Sequence, residues 1–170
     1  MAPPPKHIRD SQTVISQLMH LTDANPVGNV HGGTIMRLVD ETGAIAAIRH
    51  VGRPVVLVAI DSMAFYSPIC VGNLVTFRAS LNYVGRTSME VGVRVEAEDV
   101  LTGEITHTNS AYLVYVALDE NSQPVEVPQL LAETPEEERR VLAGKQRQEE
   151  RLRKRWADEE SHAGGKHQAG

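Results

Sequence analysis

Asn25-Pro26-Val27-Gly28-Asn29-Val30-His31-Gly32-Gly33 runs straight into Thr34-Ile35-Met36-Arg37-Leu38-Val39-Asp40-Glu41 and a small-residue apolar stretch ending at Arg49-His50. An Asn-Pro step and three glycines in nine residues predict an irregular loop. The apolar stretch after Gly33 predicts a helix of about four turns. Gly32 and Gly33 carry no side chains to shield the first-turn N–H groups, so an oxyanion or phosphate can approach the positive helix end closely. Asp40 lies seven positions after Gly33, and two helical turns put both on one face.

At about 100° per residue, Asp40 shares its side of the helix with Gly33, Met36, Gly43, Ala44 and Ala47. Most of the circumference is apolar, which predicts a helix buried nearly all round. A carboxylate there is expensive unless it is partnered or used. Two readings stay open from spacing alone. Asp40 is a functional carboxylate, or it bonds a nearby backbone amide or marks an exposed helix edge.

The 170 residues allow one domain with a sizeable core, and 41% hydrophobic residues is ordinary for a globular protein. No apolar run reaches bilayer length and the start Met1-Ala2-Pro3-Pro4-Pro5-Lys6 lacks a signal-peptide core, so a cytoplasmic protein without membrane contact is expected. Cys70 is the single cysteine; it fits a reducing compartment and is expected to be a buried filler. The net charge of −5 argues against nucleic-acid binding. No cofactor and no metal are expected.

Residues 1–10 are expected to be a flexible arm, and Ser11 to Met19 a first strand. Val55 to Tyr66 is apolar on both faces, as in an interior strand or one with an interface on its outer face. Leu74 to Val84 alternates, with Val75, Phe77, Ala79, Leu81 and Tyr83 inward. After the Gly85-Arg86 turn, Thr87 to Val100 alternates again, with Met89 to Ala97 inward and Glu90, Arg94, Glu96 and Glu98 outward. Thr102-Gly103 turns the chain into Glu104 to Leu118. Each of these strands has one wet face, and the helix carrying Asp40 is the only long apolar helix available to cover the dry one. The predicted class is therefore α+β, a curved antiparallel sheet wrapped around one long central helix. Thr134-Pro135-Glu136-Glu137 starts a charged C-terminal helix, expected over 132–160 on the surface or between subunits, with 161–170 a disordered tail.

This arrangement resembles the hotdog fold, specifically the acyl-CoA thioesterase branch that hydrolyses cytosolic fatty acyl-CoA. The residues that carry the resemblance are His31-Gly32-Gly33 with Asp40-Glu41, Arg49-His50, Ala59-Ile60-Asp61 to Phe65, the turn Gly85-Arg86-Thr87-Ser88-Met89-Glu90-Val91, and Val127-Pro128-Gln129-Leu130-Leu131 followed by Glu133-Thr134. It extends from about Ser11 to Arg147, with the domain itself at 11–131. The resemblance implies a site between two subunits that pairs a loop Asn with a helix Asp, here Asn25 and Asp40. It also implies a homodimer with two composite sites, assembled further into a trimer of dimers.

Thioester hydrolysis needs a nucleophile at the carbonyl carbon and a home for charge on its oxygen. Asp40 is the expected general base, or a nucleophile forming a mixed anhydride. Backbone N–H groups at Gly33 and Gly32 are the candidate oxyanion hole. Asn25 would orient the water or the thioester carbonyl, or serve only as the cap of its own turn. His31 is either a loop-shaping residue donating to a backbone carbonyl or a second acid/base. Arg86, Thr87 and Ser88 suit the phosphates of CoA, or form a polar hairpin tip. Lys145 and Arg147 reach the nucleotide phosphate or are solvated charges. Two rivals remain, a hotdog hydratase or dehydratase using His31 with Asp40, and a non-catalytic acyl-CoA binding protein.

Overall fold

The computed structural model describes the backbone of residues 3–164 and the side chains of residues 3–157. The elements run in order β1 (Lys6–His7), β2 (Thr13–Leu18), α1 (Gly32–Val51), β3 (Val55–Phe65), β4 (Leu74–Val84), β5 (Ser88–Asp99), β6 (Glu104–Ala117), β7 (Leu130–Leu131) and α2 (Pro135–Gly164). Five strands form one antiparallel sheet in the order β2-β4-β5-β6-β3. The fold is the α+β arrangement expected, with α1 packed along one face of this sheet.

Short hairpins build the centre of the sheet. Gly85 donates to Ser88 O at 2.8 Å across the β4–β5 turn. At the β5–β6 turn Gly103 adopts a φ of 75°, a left-handed conformation that costs glycine little. Val75, Phe77 and Leu81 of β4, Met89, Val91 and Val95 of β5, and Leu113 and Tyr115 of β6 are essentially buried against Ile35, Val39, Ala46 and Ala47 of α1. A register shift between Leu81 and Tyr83 breaks the β4 alternation. Val84 therefore turns inward, while Tyr83, expected inside, lies beneath α2: a Cβ on Gly144 would sit 2.7 Å from Tyr83 Cβ.

Several expectations need correction. α1 is not buried all round. Ile35, Leu38, Val39, Thr42, Gly43, Ala46, Ala47 and His50 are covered, whereas Met36, Ile45 and Ile48 are 46, 36 and 44% exposed. A single sheet covers only one side of a helix, and the other side of α1 stays open in one chain. β3 is an edge strand, not an interior one, and leaves Val56, Val58 and Ile60 exposed.

The segment 1–10 is not a loose arm throughout. Lys6 and His7 pair with Leu130 and Leu131 in a parallel ladder, and Ile8 is 1% exposed. Burial of that one isoleucine and the bond from Lys6 Nζ to His50 O at 2.6 Å dock it. Cys70 is exposed, because Ile69 takes the core position in this turn.

α2 begins as its sequence dictates. Thr134 Oγ1 accepts the Glu137 amide at 3.2 Å, and Glu137 reaches back to the Glu133 amide at 2.7 Å. The helix continues to Gly164, past the expected end at 160, and the rest of the expected tail, 165–170, lies outside the described residues. It crosses the outer face of the sheet from Tyr83 to Glu90 and then to Asp61, which Arg151 pairs. Among the described residues no helix is long and apolar enough to cross a membrane.

Candidate active site

The loop before α1 is tied together by Asn25. Its Oδ1 accepts the amides of Val27 at 3.0 Å and Asn29 at 3.2 Å, and its backbone exchanges bonds with Gly28 and Asn29. Gly28 has a φ of 89°, which is why the tight turn needs glycine there. The capping alternative for Asn25 is thus realised for its oxygen. Its NH₂ group makes no bond among the described residues, and Asn25 lines a cavity of about 300 Å³ with Gly32, Ile35, Phe65, Tyr66 and Ile69.

His31 shapes the start of α1, by accepting rather than by donating to a carbonyl as expected: its Nδ1 receives the Gly33 amide at 2.9 Å. This makes His31 the N-cap of the helix and puts the ring proton of a neutral imidazole on Nε2. The Gly33 amide, one of two candidate oxyanion donors, is therefore already engaged. The Gly32 amide has no partner among the described residues, and the Phe65 ring lies 3.7 Å from where a Gly32 Cβ would be.

Asp40 sits eight residues beyond Gly32, about 12 Å along the helix axis, and does not line the Asn25 cavity. The carboxylate is half-buried and has one side-chain partner that sequence reasoning missed. Tyr115 of β6 places its hydroxyl 2.9 Å from Asp40 Oδ1 and 2.9 Å from Asp40 O. Burial, together with the Asp40 charge and this bond, pushes the phenol far above its usual range, so it remains a proton donor. The inward alternation Ala111-Leu113-Tyr115-Ala117 and the glycine three residues after Asp40 were the signals available for finding it.

The turn Arg86-Thr87-Ser88 lies at the Asp40 end of the sheet, since Ser88 adjoins Met89, the register partner of Tyr115. Arg86 is exposed and Thr87 and Ser88 half-buried. The Arg86 and Thr87 carbonyls accept the amides of Val127 and Ala117, which fixes the tip against the connector. Lys145 is exposed. Arg147 is neither a solvated charge nor free for a phosphate, because it is clamped to Glu90. Glu90, though on the outer face as expected, is 1% exposed beneath α2.

A larger hollow of about 430 Å³ opens on the outer face between the sheet and α2, lined by Ser80, Arg94, Tyr112, Arg139 and Arg147 among others; Asp40, Asn25, His31, Gly32, Gly33 and the Arg86-Thr87-Ser88 turn do not line it. No group of three or more His, Cys, Asp or Glu side chains suited to a metal ion occurs among the described residues.

Within one chain the geometry yields two half-sites, a loop carboxamide beside a helix N-terminus and a helix carboxylate held by a phenol. Known proteins resemble the chain along most of its length. The profile of the Thioesterase superfamily matches residues 27–104. Protein VdlD of Helicobacter pylori is 41% identical over 84% of this chain and 82% of its own length. A solved structure of an apo-hexameric acyl-CoA thioesterase is 36% identical, with a TM-score of 0.86 over 89% of this chain and 97% of that one. The acyl-CoA hydrolase of Staphylococcus aureus, solved with butyryl coenzyme A, coenzyme A and coenzyme A disulfide, is 31% identical, with a TM-score of 0.86 over 94% of this chain and 98% of that one. The antiparallel sheet packed on one long helix and these likenesses together make the chain a member of the thioesterase superfamily, in its hotdog-fold acyl-CoA thioester hydrolase branch.

Proposed function

We propose that the protein hydrolyses fatty acyl-CoA to a free fatty acid and CoA at a site composed of Asp40 from one subunit and Asn25 from another. The observation that carries this reading is the state of the Asn25 carboxamide. Its oxygen is spent on the Val27 and Asn29 amides, so only its NH₂ is left to face a ligand. That suits a donor to the thioester carbonyl better than an acceptor for water.

Asp40 takes a proton from water as the water oxygen bonds to the thioester carbon. The charge gathered on the carbonyl oxygen meets the Asn25 NH₂ and the Gly32 amide. Collapse of that intermediate breaks the C–S bond, and the departing thiolate takes the proton that Asp40 accepted from water. Direct attack by Asp40, giving a mixed anhydride that water then opens, uses the same groups.

Support for the pair comes from the Staphylococcus aureus hydrolase, whose alanine variants at an asparagine and an aspartate fifteen positions apart have been solved. Asn25 and Asp40 are also fifteen apart. Support for two subunits comes from the distance between the half-sites, the open side of α1 and the bare β3 edge. The hexameric state of a related structure fits a trimer of dimers. The hydratase reading needs His31 as acid/base, and the engagement of His31 Nδ1 by Gly33 weighs against it.

The test is release of CoA thiol from acyl-CoAs of graded chain length, with an enoyl-CoA offered alongside. Asp40→Ala, in folded protein of unchanged oligomeric state, should lose nearly all release and Asn25→Ala most of it. Arg86→Ala should raise KM for acyl-CoA and leave hydrolysis of the matching acyl-pantetheine unchanged. Full turnover by Asp40→Ala, or hydration of the enoyl-CoA without thiol release, overturns the reading.

A further inference from the structure

We infer that Tyr115 and Gly43 form a positioning pair that sets the rotamer of the Asp40 carboxylate for the reaction, a role that rests on the reading of Asp40 as base or nucleophile. Two short contacts and one missing atom carry the inference. The Tyr115 hydroxyl is 2.9 Å from Asp40 Oδ1 and equally far from the Asp40 carbonyl oxygen. Its single proton is shared between a carboxylate oxygen and the backbone of the same residue, so the carboxylate is held against its own helix by one edge. Oδ1 is taken, and Oδ2 is the oxygen left for water or for the thioester carbon.

The phenol reaches that position only because residue 43 is glycine. A Cβ there would lie 2.6 Å from the Tyr115 oxygen and 3.3 Å from Cε2 and Cζ. Real Cβ atoms do not tolerate the first of these distances. Gly43 is in the interior of α1, where glycine comes at a cost in helix stability relative to alanine. The helix carries that cost one turn from Asp40, at the point where the sheet must hand it a hydroxyl.

Tyr115 itself is 1% exposed and comes from β6, 75 residues further along the chain. A side chain buried that completely fills core whatever its hydroxyl does, and phenylalanine would fill the same space without reaching Asp40. The hydroxyl is thus separable from the packing, and its loss removes one hydrogen bond to a charged group.

The experiment is a double-substitution cycle on the assembled enzyme, with kcat and KM measured on one acyl-CoA and thermal midpoints taken on the same samples. Tyr115→Phe should lower kcat about tenfold to a hundredfold, with KM within a factor of two and an unchanged oligomer. Gly43→Ala keeps every hydrogen-bonding group and should lower kcat at least as much by displacing the phenol. In the Tyr115→Phe background, Gly43→Ala should add less than threefold, because the oxygen it would strike is gone.

If Tyr115→Phe keeps full kcat while Asp40→Ala is dead, the positioning role is wrong and the hydrolase reading stands. If Asp40→Ala is itself active, the reading beneath both has failed. Losses in kcat that multiply independently in the double variant also overturn the pairing. Should Tyr115→Phe not fold, the kcat of Gly43→Ala decides alone: an unchanged value refutes the inference and a fall at constant KM supports it.

Discussion

Arg147 of α2 donates to Glu90 of β5 from two nitrogens, Nη2 at 2.6 Å from Oε1 and Nε at 3.1 Å from each carboxylate oxygen. Glu90 is 1% exposed, Asn82 Nδ2 adds a bond at 3.2 Å, and the Arg147 guanidinium lies 3.9 Å from the centroid of the Tyr112 ring. A helix that is mostly charged is thus held on the sheet by a buried ion pair as well as by Gly144 lying close over Tyr83.

Removing one partner of that pair strands a buried carboxylate. Arg147→Met should cost about 3–5 kcal/mol, which for a chain of this size lowers the thermal midpoint by roughly 6–20 °C. Combining it with Glu90→Leu should recover most of the loss, since an apolar pair leaves no unpaired charge. Calorimetry on the two variants checks both, and a single variant as stable as the parent refutes the clamp.

His50 closes α1 with its Nε2 2.8 Å from Pro128 O and its Nδ1 buried without a partner among the described residues. Burial holds its pKa below the ordinary 6.5; the bond to Pro128 opposes this, Lys6 adds to it and Asp10 opposes it. The unfolded chain therefore binds a proton near pH 6.5 that the folded chain refuses until lower pH. Stability is unaffected above about pH 6.5 and is lost as pH falls below it. The midpoint of His50→Gln should fall less steeply than that of the parent between pH 6.5 and 5. Parallel slopes would mean that His50 does not titrate in this way.

β3 exposes Val56, Val58 and Ile60 along an edge of eleven residues. Such an edge invites pairing with another chain. Val58→Lys should split the oligomer, measured as a drop in particle mass by sedimentation, and thiol release should fall with it as the half-sites separate. A particle of unchanged mass would show that the contact lies elsewhere.

Whatever depended on neighbours in the chain was legible in the sequence. The glycine-rich loop, the Thr134 cap, the hairpin turns and the inward face of β5 are set by backbone preferences and by alternation with a period of two, and the structure follows them. So was the candidacy of Asp40, because a carboxylate on an apolar helix face is conspicuous wherever it occurs. Alternation failed in β4 past Leu81, where the register shift reverses the faces and no composition marks the bulge. It also gave no means of telling that α1 would be covered on one side only.

Contacts between distant residues were decided by the tertiary structure. Tyr115 reaches Asp40 across 75 residues and Arg147 reaches Glu90 across 57. Neither partner has a local pattern that names the other, so only packing of the sheet against α1 and of α2 against the sheet could bring them together. By itself the sequence determined the elements, the faces of most strands and the residue types available for thioester chemistry. The folded chain decided which oxygen of Asp40 is held, which face of α1 stays open and that β3 lies at an edge of the sheet, because each depends on what the rest of the polypeptide leaves uncovered.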